Sequence, residues 1–171
     1  MKLDDCINLD DLRKVAKQRV PKLIYDFIEG GSEDESGLVR NEDAFRNRAL
    51  VPRYMVDISS INQDTELFGR TYSSAYGIAP TGGISNYRHK GDLMLARAAR
   101  DANIPFIMSG AATARMEDMA REAPDHGWYQ LYTAKDRAIA DDQVKRAADL
   151  GIQTLVITVD VPASGNRERN K

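Results

Sequence analysis

The sequence predicts an α/β fold in which parallel strands alternate with helices, preceded by helices and a β-hairpin. Four short apolar runs, residues 76–79, 106–108, 128–131 and 155–159, each end in a polar or glycine-bearing tip. They recur about every 25 residues with a helical pattern in each gap, which is the rhythm of βα units feeding a parallel sheet. The strand interiors are plain hydrophobic filler, and the unusual residues gather at the C-terminal tips, where a (β/α)8 barrel carries its chemistry.

The chain opens with a helical preface. Asn8 or Asp10 can cap a first helix whose apolar positions Leu9, Leu12, Val15 and Ala16 follow helical spacing. Pro21 suits the first turn of a second helix, because its missing N–H costs nothing there. That helix carries Leu23, Ile24, Phe27 and Ile28, with Tyr25 on a neighbouring face, and Gly30 and Gly31 end it. Residues 32–35 supply a capping signal for a third helix running toward Phe45.

Residues 51–75 read as extended, with Gly69 and Arg70 turning a hairpin between 65–68 and 71–73. Such a hairpin could plug the bottom of a barrel. Beyond it, residues 90–103 form an amphipathic helix (Leu93, Leu95, Ala96, Ala98, Ala99) that Ile104 and Pro105 end. Met116, Met119 and Ala120 mark a shorter helix, and residues 139–150 a longer one closed by Gly151. The methionines are expected to fill the core.

The bulk properties mainly exclude. At 171 residues the chain has room for one domain with a sizeable core. A net charge of -2 with 29% charged residues gives no electrostatic case for nucleic acid or an anionic membrane surface. The single Cys6 allows no internal disulfide. The acidic start is not a secretory signal, and no run approaches the ~20 apolar residues of a membrane span. These features point to a soluble, cytoplasmic protein, and no metal is expected.

The tips suggest a ligand. Thr81 and Gly82 put a hydroxyl beside a residue without a side chain, so a flat ligand could lie close to the backbone. Ser109, Gln130 and Thr158 bring hydrogen-bonding groups to the same rim; Tyr132 adds a phenol, Asp160 a carboxylate and Arg167 a guanidinium. This inventory matches a planar heterocycle rich in donors and acceptors, together with a small carboxylate.

Residues 21–34 (PKLIYDFIEGGSED), 77–82 (GIAPTG), 128–132 (WYQLY), 158–160 (TVD) and 165–169 (GNRER) closely resemble the FMN-dependent α-hydroxy-acid dehydrogenase and oxidase family. That family includes glycolate oxidase, flavin L-lactate dehydrogenase and, nearest in look, mandelate dehydrogenase. The resemblance covers essentially the whole chain in order. It implies the N-terminal half of a (β/α)8 TIM barrel, with residues 1–75 as helical preface and hairpin and 76–171 as the first four barrel strands.

The resemblance also implies residue roles. The backbone at Ala79, Pro80, Thr81 and Gly82, with the side chains of Ser109, Gln130 and Thr158, would hold the FMN ring. Tyr25 would hydrogen-bond the substrate carboxylate, and Tyr132 would contact the substrate hydroxyl or carboxylate region. Asp160 would pair with the protonated catalytic histidine. Arg167 would add positive charge near the substrate anion. Gly82 and Ala111 match positions that line the substrate side-chain pocket. Both are small, which favours a bulky or aryl 2-hydroxy acid over glycolate. The product is a 2-oxo acid, with the flavin taking two electrons.

The family's catalytic histidine, its carboxylate-binding arginine, its flavin-side lysine and its phosphate loops belong to the second half of the barrel. His89 and His126 match no such motif and are expected at the surface. The chain therefore reads as a truncated half without activity of its own. Four parallel strands expose two edges, so marginal stability, aggregation or dimers are expected. The full-length enzyme is expected to be a homo-oligomer, with peripheral membrane association open to it, and oxygen, a quinone and a cytochrome all stay open as electron acceptor. Two rival readings are a non-catalytic half-barrel that serves as an assembly module and an FMN barrel with isomerase chemistry. Tyr25, Tyr132 and Arg167 together argue against the latter.

Overall fold

A computed structural model describes residues 2–160 and 165–170, with residue 170 described by its backbone only. The chain divides into two compact units, one of residues 1–57 with 161–171 and one of residues 58–160. All the site residues predicted from sequence lie within the described residues.

The first unit is helical. Helix α1 (Leu9–Arg19) starts at Asn8, whose Oδ1 accepts the Asp11 N–H at 2.8 Å, so Asn8 rather than Asp10 is the cap. Asp10 and Asp11 in its first turn and Lys17 and Arg19 in its last complement the helix dipole. Helix α2 (Lys22–Glu29) follows Pro21, which takes the N-cap position one residue before the expected place. Gly30 closes it within 2.9 Å of the Asp26 carbonyl, an approach that a Cβ would block.

The predicted capping signal for helix α3 (Ser36–Arg46) works differently from expectation. Glu35, at the N-cap with φ +61°, turns its carboxylate back to accept the Gly31 N–H at 3.1 Å. Asp34 accepts the Ser36 N–H instead, also at 3.1 Å. Residues 165–170 dock on this α2–α3 turn: the Glu33 N–H donates to the Asn166 carbonyl at 2.7 Å, and Arg169 pairs with Glu35 at 2.6 Å.

In the second unit, β1 (Thr65–Leu67) and β2 (Arg70–Tyr72) form the predicted antiparallel hairpin. Its turn is Phe68–Gly69, one residue earlier than expected, with φ of +51° and +79°. Two positive φ values match the twist of paired strands, though the left-handed region disfavours a bulky residue such as Phe68. The Phe68 ring packs edge-on against Trp128 with centroids 5.2 Å apart, and Trp128 Nε1 donates to the Tyr72 hydroxyl at 3.2 Å. The hairpin thus sits at the N-terminal end of the sheet.

That sheet is β3 (Phe106–Met108), β4 (Gly127–Leu131) and β5 (Leu155–Ile157), parallel and in the order β3-β4-β5. The first predicted strand, 76–79, contracts to a single parallel bridge between Ile78 and Phe106. Its bonds are Ile78 N–H to the Pro105 carbonyl at 2.9 Å and Ile107 N–H to the Ile78 carbonyl at 3.0 Å. Pro80, lacking an N–H, cannot extend the ladder. Strand β5 ends at Ile157 rather than Val159, although the Thr158 N–H still donates to the Leu131 carbonyl.

Helices α4 (Gly91–Asp101), α5 (Met116–Glu122) and α6 (Arg137–Asp149) supply the core that covers one face of the sheet. Phe106 and Met108 from β3, with Tyr129 and Leu131 from β4, alternate onto that face and meet Ala96, Ala99, Met119 and Ala147. Met108, Met116 and Met119 are core residues as expected, whereas Met55 and Met94 are exposed. Among the described residues, no helix is long and apolar enough to cross a membrane.

Candidate functional site

The opposite face of the sheet carries the polar residues. Side chains two apart along a strand share a face, so Ile107 with Ser109, Trp128 with Gln130, and Val156 with Thr158 all point away from the helices. A cavity of about 340 Å³ lies there, lined in part by Leu67, Tyr76, Ala79, Pro80, Ile107 and Val156.

At the tips, three predicted cofactor residues form one hydrogen-bonded chain across three strands. The Ser109 hydroxyl donates to Gln130 Oε1 at 3.1 Å, and Gln130 Nε2 donates to Thr158 Oγ1 at 2.6 Å. Gln130 Oε1 also accepts the Gly110 N–H at 3.0 Å, and Ser109 Oγ accepts the Ala111 N–H at 3.1 Å. These partners fix the orientation of the Gln130 amide. Ser109 and Gln130 are 4% and 2% exposed, while Thr158 is half-buried. Among the described residues, these bonds leave the second hydrogen of the Gln130 amide and the Thr158 hydroxyl hydrogen unused.

The loop after Ile78 lies beside the loop after β3. Gly83 N–H donates to the Ala111 carbonyl at 3.1 Å, and a Cβ on Gly82 would stand 3.0 Å from the Ala111 Cβ. The small size expected to leave pocket volume thus also serves close approach of the two loops. Gly110 is tighter still, since a Cβ there would lie 2.8 Å from the Gln130 carbonyl. Thr81 is exposed, and its hydroxyl donates to the Ala79 carbonyl at 3.5 Å. Tyr132, 51% exposed, and the exposed Asp160 follow β4 and β5 on the same parity as Gln130 and Thr158.

The first unit holds the other two predicted residues. Tyr25, half-buried on α2, interacts with the ion pair between Arg13 of α1 and Glu29 of α2. The Arg13 guanidinium holds the Glu29 carboxyl below its ordinary range. Arg167 donates to the Phe27 carbonyl at 2.8 Å and lies over the Phe27 ring at 4.7 Å. It therefore caps the C-terminal end of α2, where carbonyls lack helical partners.

The histidines divide. His89 is exposed, as expected. His126, expected at the surface, is only 8% exposed, which corrects that reading. Its Nε2 lies 3.0 Å from Arg70 and 3.1 Å from Asn103, and its buried Nδ1 has no hydrogen-bond partner among the described residues. Burial, then the Arg70 charge, pushes its pKa below 6.5, with Asp125 opposing. His126 precedes β4, at the end of that strand away from the tips. Its polar partners come from β2 and the α4–β3 turn, segments far away in sequence, and so the contact was not legible there.

Sequence reasoning also passed over Asp92, which is 2% exposed and accepts from the Thr113 hydroxyl at 2.8 Å. An acidic residue in the first turn of α4 was the available signal, but it reads equally well as a dipole partner.

The chain matches the family model described as FMN-dependent dehydrogenase over residues 16–171. It is 42% identical over 163 residues to (S)-mandelate dehydrogenase of Pseudomonas putida, covering 95% of this chain and 41% of that protein. With the 2-hydroxyacid oxidase of Dictyostelium discoideum it shares 37% identity over 167 residues, covering 97% and 43%. A high-resolution structure of an oxidized active mutant of (S)-mandelate dehydrogenase superposes with a TM-score of 0.91 at 42% identity, covering 97% of this chain and 47% of that one. A mandelate oxidase structure gives 0.90 at 34% identity, covering 96% and 50%. The chain spans less than half the length of these two curated relatives. The parallel βα order, the strand-tip residues and the family match agree: this chain belongs to the FMN-dependent dehydrogenase family.

Proposed function

We propose that this chain provides the flavin-ring platform and part of the substrate site of an enzyme that oxidises a 2-hydroxy acid to a 2-oxo acid. The observation that carries the proposal is the Ser109–Gln130–Thr158 chain, which fixes polar side chains across three neighbouring strand ends. FMN, when bound, accepts the two electrons released by the substrate α-carbon.

The chain's own residues do the rest. Gln130 and Thr158 would donate to the polar edge of the ring, and the backbone at Ala79, Pro80, Thr81 and Gly82 would give it a surface without bulky side chains. Ser109 acts behind Gln130 and fixes its amide. Tyr132 orients the substrate hydroxyl. Tyr25 and Arg167 take the substrate carboxylate, one by a neutral hydrogen bond and the other by charge. Asp160 stabilises an imidazolium formed when a histidine takes the substrate proton. Neither His89 nor His126 fills that role, given the exposed loop of one and the Arg70 contact of the other. Gly82 and Ala111 bias the substrate toward an aryl or bulky 2-hydroxy acid, and the complete assembly is a homo-oligomer.

A second reading, a half-barrel used for assembly, is favoured by the outer edge of β5. Among the described residues no strand pairs with it, and Ile157 and Val159 beside it are exposed. Gel filtration with added FMN separates the two. Flavin absorbance on the peak of folded protein is the expected result, and a folded peak without flavin contradicts the platform.

A further inference from the structure

The first turn of α4 meets both loops that carry the predicted flavin and substrate contacts. Gly91 packs against the loop after Ile78 so closely that a Cβ would stand 2.5 Å from Ile84 Cγ2. The next residue, Asp92, holds the loop after β3 through the Thr113 hydroxyl at 2.8 Å. The two loops in turn join each other through Gly83 N–H and the Ala111 carbonyl at 3.1 Å. A carboxylate only 2% exposed is a costly group to place on a helix unless its partners are fixed. Thr113 itself is exposed, and its hydroxyl faces inward to this bond.

We propose that Asp92, acting through Thr113, is a positioning residue that sets the separation of the Gly82 and Ala111 loops and thereby the shape of the flavin and substrate surface. The clamp explains why these loops stay in contact at Gly82. With Asp92 holding residues 109–113 from behind, the Ala111 Cβ cannot retreat from the 3.0 Å approach that a Gly82 side chain would demand. Asp92 touches neither ligand in this account. Its effect on binding rests on the functional reading above, whereas its effect on the loops does not.

The test is amide hydrogen exchange on the unliganded chain, with Thr113→Val as the first variant, because that position is exposed and the change keeps the side-chain shape. Removing the hydrogen bond to the buried Asp92 carboxyl is expected to speed exchange at Gly83 roughly tenfold or more, while α6 amides stay unchanged. Thr113→Ser, which keeps the hydroxyl, is expected to restore the original rate. Asp92→Asn is expected to fall between the two. Unchanged exchange at Gly83 in Thr113→Val overturns the clamp, as does acceleration spread equally over α6. Riboflavin affinity of the same proteins is the second readout. If the original chain binds no riboflavin, the functional reading fails, and the exchange rates still decide the clamp.

Discussion

Replacing Gln130 by Leu tests the tip network at its centre. The substitution introduces an apolar side chain of similar size and deletes three hydrogen bonds: those from the Ser109 hydroxyl and the Gly110 N–H, and the one to Thr158. A net hydrogen bond contributes about 1 kcal/mol, so the three together predict a loss of about 3 kcal/mol. The sum is not inflated by compensating water, because Gln130 and Ser109 are almost fully buried. It is a large share of the roughly 5–15 kcal/mol that stabilises an ordinary domain. Urea unfolding followed by Trp128 fluorescence is a direct assay, since Trp128 is the single tryptophan and neighbours Gln130 in β4. A change below about 0.5 kcal/mol, the scale of an ordinary surface substitution, would show that the three bonds do not order the strand tips.

Other expectations follow from single contacts. Because burial and the Arg70 charge disfavour the charged form of His126 in the folded chain, the unfolded chain takes up a proton near pH 6.5 more readily than the folded one. Stability should therefore be full above that pH and fall as pH drops below it, and His126→Gln should remove this slope from urea midpoints measured between about pH 7.5 and 5. Gly110→Ala, whose Cβ meets the Gln130 carbonyl at 2.8 Å and the Tyr132 ring at 3.2 Å, should cost about 1–3 kcal/mol in the same unfolding assay. Arg167→Met should move the urea unfolding midpoint little, since its partner Phe27 is exposed.

Much of this was legible in the sequence because local physics dictates it. The strands β3 to β5 announce themselves as apolar runs, and period 2 alone places Gln130 on the face opposite Tyr129 and Leu131. Asn8 and the breaks at Gly30 and Gly151 follow from capping chemistry. The misplacements have physical causes as well. The segment 76–79 is apolar enough for a strand, but it lies at the sheet edge with Pro80 beside it, and only Ile78 pairs. Residues 32–35 satisfy the pattern of a cap, but two carboxylates compete for the same N–H groups, and the turn geometry decides between them. From sequence alone His126 reads as a surface residue, because its partners Arg70 and Asn103 come from distant segments. Asp92 was invisible for the same reason: its contact with Thr113 exists only once α4 packs beside the β3 loop.

The central claim is that this chain recognises the flavin ring through its strand tips. The most direct test compares riboflavin with FMN by titration of flavin fluorescence, because the two share the ring and differ by the phosphate. If Gln130, Thr158 and the 79–82 backbone make the contacts, the two should bind with affinities within about threefold of each other, and Gln130→Leu should weaken both alike. FMN binding that is more than about tenfold tighter than riboflavin, or unaffected by Gln130→Leu, would place recognition in the phosphate and contradict the account.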